Sequence, residues 1–188
     1  MKIAKKVLLT VLLLVILITG ASSIVITREN EYSLIRQFGR IERVVSSAGI
    51  SFKIPFIQSV DTLPKQILLY DLSPSDVITS DKKTMICDSY ILWRITDPQK
   101  FAQTLNFSIS NAESRLDAIV YNSTKNVISS TTQEDVISGR NGELSSAIIA
   151  NIGDSLDQYG IELLSFETKE LDLPNDNKAA VYERMISE

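Results

Sequence analysis

A run of 20 consecutive uncharged residues, Val7 to Ile26, constrains this chain more than any other feature. Six Leu, four Val and four Ile fill it, interrupted only by Thr10, Thr19, Gly20, Ala21, Ser22 and Ser23. At about 1.5 Å per residue, a helix of this length reaches across the roughly 30 Å hydrocarbon core of a bilayer. Its aliphatic side chains, at about −0.3 to −0.6 kcal/mol each, favour insertion by roughly 4 to 8 kcal/mol. Lys2, Lys5 and Lys6 precede the run, and Arg28 and Glu29 follow it with mixed sign. The positive-inside rule then puts residues 1–6 in the cytoplasm, a transmembrane helix over 7–26, and everything after Thr27 on the far side. A cleaved secretory signal is the competing reading, because Gly20 to Ser23 could serve as a cleavage site. Against it, Ile24, Val25 and Ile26 resume the apolar run and restore spanning length.

Composition removes several chemistries. The chain has no histidine and one cysteine, Cys87. There is therefore no Ser-His-Asp or Cys-His nucleophile, no HExxH zinc centre and no internal disulfide. Beyond the three N-terminal lysines, 16 basic residues face 23 acidic ones. That balance, without any cluster of basic residues interleaved with aromatics, disfavours nucleic acid as a partner. No Gly-x-Ser-x-Gly elbow, phosphate loop or DxDxDG calcium loop occurs, so no catalytic, cofactor-binding or metal-binding residue is expected. A hydrolase, for example a Ser-Lys enzyme, stands as the least favoured alternative, behind a secreted binding module released by signal cleavage.

The exported part changes character near residue 97. Before it, alternating and β-rich segments predict strands over Tyr32 to Phe38, Arg40 to Val45, Ile50 to Ile57, Gln66 to Leu72 and Thr84 to Ile95, with Pro55 weakening the third. After it the apolar period becomes helical, which predicts helices over Pro98 to Leu105, Asn111 to Ser129 and Glu143 to Tyr159, the last stopped by Gly160. A strand over Ile161 to Leu173 and a final helix over Lys178 to Ser187 complete the chain. The expectation is an α+β fold: a β-rich part over 27–96, a mixed α/β part over 97–174, and the start of a C-terminal helix over 175–188.

Several motifs, taken in order, carry a resemblance over nearly the whole chain. They are V-I-T-R-E-N-E-Y from Val25, F-G-R from Phe38, A-G-I-S-F-K-I-P-F-I from Ala48, D-K-K-T-M-I-C-D-S-Y-I-L-W-R-I-T-D-P from Asp81, E-D-V-I from Glu134, Y-G-I-E-L from Tyr159, L-D-L-P from Leu171 and V-Y-E-R-M from Val181. With the N-terminal apolar segment, this order resembles the SPFH or band-7 family, which includes stomatins, prohibitins, flotillins and the HflK/HflC proteins. The block DSYILWRITDP points to the HflC branch. The resemblance implies two SPFH subdomains followed by a coiled coil, of which 188 residues hold only the beginning, so a fragment is expected. It also implies a non-enzymatic scaffold in the bacterial inner membrane, with its main domain periplasmic. The implied partners are the lipid bilayer, an HflK-like paralogue in a large hetero-oligomer, and an FtsH-like AAA+ protease that the assembly regulates.

Three sets of residues stand out. Phe52, Ile54, Phe56 and Ile57 form either an apolar loop resting on the bilayer or an ordinary buried strand. Asp88 and Arg94 fall on one face of their strand, opposite a core face of Cys87, Ser89, Ile91, Trp93 and Ile95, and so are candidates for pairing with neighbours or with another subunit. Val181, Tyr182 and Met185 form an apolar stripe at helical spacing, a candidate subunit contact at the start of a coil.

Overall fold

A computed structural model describes residues 2–139 and 142–172, and within the first helix the side chains of residues 6, 9–14 and 16–22. The candidate contact Val181, Tyr182 and Met185 lies outside the described residues. The chain forms two compact units, residues 1–66 and 67–188.

The first unit opens with α1 (Lys2–Ser22). The helix ends earlier than the apolar run does. Ser23 N–H donates to Gly20 O at 3.2 Å, and Ile24–Thr27 becomes β1, an extended strand of mostly β-branched residues. The uncharged part of the helix, residues 7–22, is then only about 24 Å long at about 1.5 Å per residue, short of a hydrocarbon core of roughly 30 Å. Among the described residues no helix is long and apolar enough to cross a membrane, and the helix expected over 7–26 ends at Ser22, with Ile24–Thr27 in strand. Next come β2 (Glu31–Gln37), β3 (Arg40–Val45), β4 (Gly49–Phe52) and β5 (Gln58–Pro64). Strand β1 pairs antiparallel with β4, and β2 lies between β3 and β5. Leu34, Ile35 and Leu63 bury their side chains here, with Val25 at the edge of the same small core.

The second unit is a sheet with helices on one face. Its strands are β6 (Leu68–Asp71), β7 (Ser75–Ile78), β8 (Thr84–Ile95) and β9 (Ile161–Asp172). Central β8 pairs along one edge with β7 and then β6, and along the other with β9, all antiparallel. Two bulges in β9, at Leu164 and Lys169, fit its 12 residues to ten of β8. Alternation along β8 is strict: Met85, Cys87, Ser89, Ile91, Trp93 and Ile95 are buried, and the residues between them are not. That is the core face expected from the sequence.

Helices α2 (Pro98–Leu105), α3 (Ile109–Ser129), α4 (Gln133–Ser138) and α5 (Glu143–Ile152) separate β8 from β9. Asp97 caps α2 by accepting from Gln99 N and Lys100 N, both at 3.0 Å, with Pro98 at the first helical position. Ala112, Leu116, Val120 and Ile128 of α3 and Leu144, Ile148 and Ile152 of α5 turn inward. Trp93 and Phe101 stack at 6.5 Å between centroids, and both are fully buried. The helix expected over Glu143 to Tyr159 is split: Gly153 takes φ +49, and a 3-10 segment, Gly153–Tyr159, follows. Its terminal Gly160 sits at φ +67 and accepts from Thr96 N and Asp97 N, which pins the start of β9 against the end of β8. Asp81 fastens the β7–β8 turn. Hydrogen bonds from Thr79 and then Lys83 hold its carboxyl down to about 2, and it also accepts from Gln133 N at 3.2 Å.

Candidate functional site

Among the described residues, most of the exposed large apolar side chains lie in the first unit. Every described apolar side chain of α1 from Leu9 to Ile18 is exposed. Val11 to Leu14 alone sweep most of the helix circumference, so the exposure is all round. The apolar surface does not stop where the helix does. Strand register pairs Ile24 with Phe52 and Ile26 with Ile50, and because paired residues share a face, these four exposed side chains form one apolar patch. The chain then turns through Ile54–Ile57, closed by Gln58 N donating to Ile54 O at 3.0 Å and by Ile54 N donating to Gln58 Oε1 at 2.7 Å.

Phe56 stands at the tip of this turn, 87% exposed, in the left-handed region at φ +66. A second phenylalanine repeats the arrangement: Phe38, in the β2–β3 turn, is 85% exposed at φ +47. Gln37 pairs with Gln58, so Phe38 and Ile57 flank the same end of the three-stranded sheet. Bulky residues at positive φ are strained, and such strain persists where the surrounding structure holds it in place. The loop is also tied to the helix end. Lys53 N donates to Ser23 O at 2.8 Å, and Ser23 Oγ donates back to Lys53 O.

Of the residues singled out from sequence, Phe52, Ile54, Phe56 and Ile57 are all exposed. Sequence reasoning missed their companions Ile24, Ile26, Phe38 and Ile50. Phe38 could have been found from its place before Gly39 in a two-residue turn. Ile24 and Ile26 continue the apolar run, whose composition predicts helix.

Asp88 and Arg94 lie on the outer face of the second unit's sheet, away from α3 and α5, as expected. Each is already paired across strands: Lys169 Nζ lies 2.7 Å from Asp88 Oδ1 and 2.6 Å from Asp71 Oδ1, and Arg94 Nε lies 2.7 Å from Glu162 Oε2. The Asp71 and Asp88 carboxylates push the Lys169 ammonium above its ordinary range. Leu69 and Ile78 are exposed on this face too. Cys87 is buried, and burial pushes its thiol up to about 11, so it is unreactive at neutral pH. Among the described residues no group of acidic residues and cysteine could hold a metal.

The chain resembles curated proteins over most of its length. It is 30% identical to Protein HflC of Haemophilus influenzae over 89% of this chain and 60% of that one. It is 28% identical to Protein HflC of Buchnera aphidicola, over 92% and 63%. It is also 25% identical to Modulator of FtsH protease HflC of Escherichia coli K12, over 94% and 67%. The chain thus spans about 60% of the length of the first of these relatives. The family model described as SPFH domain / Band 7 family matches residues 25–188, so the chain belongs to the SPFH domain / Band 7 family.

Proposed function

We propose that this chain is a membrane-anchored scaffold subunit, seated in the bilayer by its first unit, that assembles with an HflK-like paralogue and regulates an FtsH-like AAA+ protease. The observation that carries the membrane reading is the continuity of exposed apolar surface from α1 through the β1–β4 patch to the turn at Phe56. The uncharged stretch of α1 is about 6 Å short of a hydrocarbon core of roughly 30 Å. Apolar Ile24, Ile26, Ile50 and Phe52 at its end, with Lys6 extending toward the headgroups at its start, make up the difference. In this arrangement the β1–β4 patch lies in the interfacial layer, where a row of exposed isoleucine and phenylalanine is stable. The N-terminal lysines orient α1 with its start in the cytoplasm of a bacterial inner membrane and the rest outside.

Regulation of the protease rests on the similarity to the Escherichia coli relative named for it. No catalytic constellation is needed for that role: confinement to the membrane and lateral assembly would limit which substrates reach the protease. Copurification of the full chain from its own membranes, followed by mass spectrometry, tests this. Recovery of an HflK-like paralogue with an FtsH-like protease is expected, and absence of both would overturn the role.

A further inference from the structure

A cleft of about 610 Å³ opens in the first unit beside the apolar turn, lined by Arg43, Lys53, Phe52, Ile54 and Gln58 among others. We infer that this cleft receives the phosphate of an anionic phospholipid in the bilayer on which the turn rests. The inference depends on the membrane reading above and adds a ligand class and two named contacts to it.

Three observations support it. First, the two cations have donors to spare. Arg43 Nη2 donates to Phe52 O at 2.8 Å, which fixes the guanidinium between β3 and β4 and leaves its other N–H groups for a ligand. A planar fork of donors suits phosphate oxygens. Lys53 is half-buried and forms no side-chain ion pair among the described residues. Second, Glu42, the one acidic group at the cleft among the described residues, is engaged by Gln58 Nε2, and the same glutamine closes the Ile54–Ile57 turn through its Oε1. Two cations against one carboxylate leave the cleft positive. Third, the backbone of Lys53 is bonded to Ser23 at the end of α1. Once α1 is in the bilayer, Lys53 is held at headgroup depth, with Phe52 and Ile54 on either side of it in the chain.

Charge in the unit as a whole agrees. Residues 24–66 carry six basic and four acidic residues, whereas residues 67–172 carry eight basic and sixteen acidic. Only the first unit complements an anionic surface, where each basic residue strengthens association by about fivefold.

The test uses the full chain in nanodiscs of phosphatidylcholine, with and without one-fifth phosphatidylglycerol, and reads amide hydrogen exchange over residues 53–58. Protection of the turn in phosphatidylcholine relative to detergent is expected from the membrane reading. A further slowing of about fivefold or more with phosphatidylglycerol is expected from the cleft. The double variant Arg43→Gln, Lys53→Gln should lose that increment and keep the protection in phosphatidylcholine. The charge-matched double variant Arg115→Gln, Lys125→Gln, in the second unit, should keep both. The lipid site is overturned if phosphatidylglycerol adds nothing to the wild type, if the cleft variant retains the increment, or if both variants lose it equally. Slowing by inorganic phosphate in phosphatidylcholine alone would overturn it in favour of a free-anion site. Absence of protection in either lipid would instead reject the membrane reading itself.

Discussion

The two units treat their largest aromatic side chains in opposite ways. The second hides Trp93, Phe101 and Phe166 completely and carries its acidic excess outside. The first exposes Phe38, Phe52 and Phe56 together with Ile24, Ile26 and Ile50, and it holds two of those phenylalanines at positive φ. Exposed apolar surface on this scale marks an interaction face, and the membrane proposal rests on it. In the second unit the sequence folds around its own core. In the first, the protein fold is only part of what the apolar residues serve.

Substitutions sharpen this contrast, and the largest effect belongs to the second unit. Trp93→Ala should lose about 3 to 5 kcal/mol of stability by opening a cavity against Phe101, measured by circular dichroism in a urea titration of the full chain in detergent. A loss below about 1 kcal/mol would mean the second unit is not organised around this core. Gly160→Ala comes next. Its backbone sits at φ +67, and a methyl there would meet Asp97 O at 2.3 Å. The left-handed conformation alone costs about 1 to 2 kcal/mol, and the collision adds to it, so a lower urea midpoint with an unchanged slope is expected. The smallest effect on stability should come from the first unit. Phe56→Ser with Ile57→Ser should change unfolding by no more than about 0.5 kcal/mol, as for other exposed sites. The same pair should cut protection of residues 53–58 in nanodiscs. A large loss of stability would show that these side chains serve the unit's own core.

How legible each unit was in the sequence follows the same division. In the second, the β8 alternation from Met85 to Ile95, the Asp97-Pro98 helix start and the Gly160 stop were all readable, because one buried face and a few special φ values dictate them. At Gly153, which breaks α5, the apolar spacing predicts helix because it continues through Leu156 while the backbone does not. Strands Gln58–Pro64 and Ser75–Ile78 were missed because each is short and largely polar, and their placement comes from pairing with β2 and β8. In the first unit the apolar run misled over Ile24–Thr27. A helix over the whole run and a shorter helix followed by an apolar strand have the same composition, and only the partner strand β4 distinguishes them. For Phe52, Ile54, Phe56 and Ile57 the sequence leaves an exposed loop and a buried strand both open, since an apolar segment reads alike in either setting, and the structure exposes all four. The outer-face ion pairs Asp88–Lys169 and Arg94–Glu162 needed the register of β9, including its bulge at Lys169, which sequence spacing does not reveal.

The seat of the first unit in the membrane is the claim on which the rest depends, and cysteine labelling tests it directly. Buried Cys87 gives a silent background. Single substitutions Ile50→Cys, Phe56→Cys and, in the second unit, Ile137→Cys each place a thiol at an exposed position. A membrane-impermeant maleimide is applied to the full chain in sealed vesicles, with its exported face outward, before and after detergent. Ile50→Cys and Phe56→Cys should label slowly in the intact bilayer and rapidly in detergent, with Ile137→Cys rapid in both. Equal, rapid labelling of all three in the intact bilayer would contradict it.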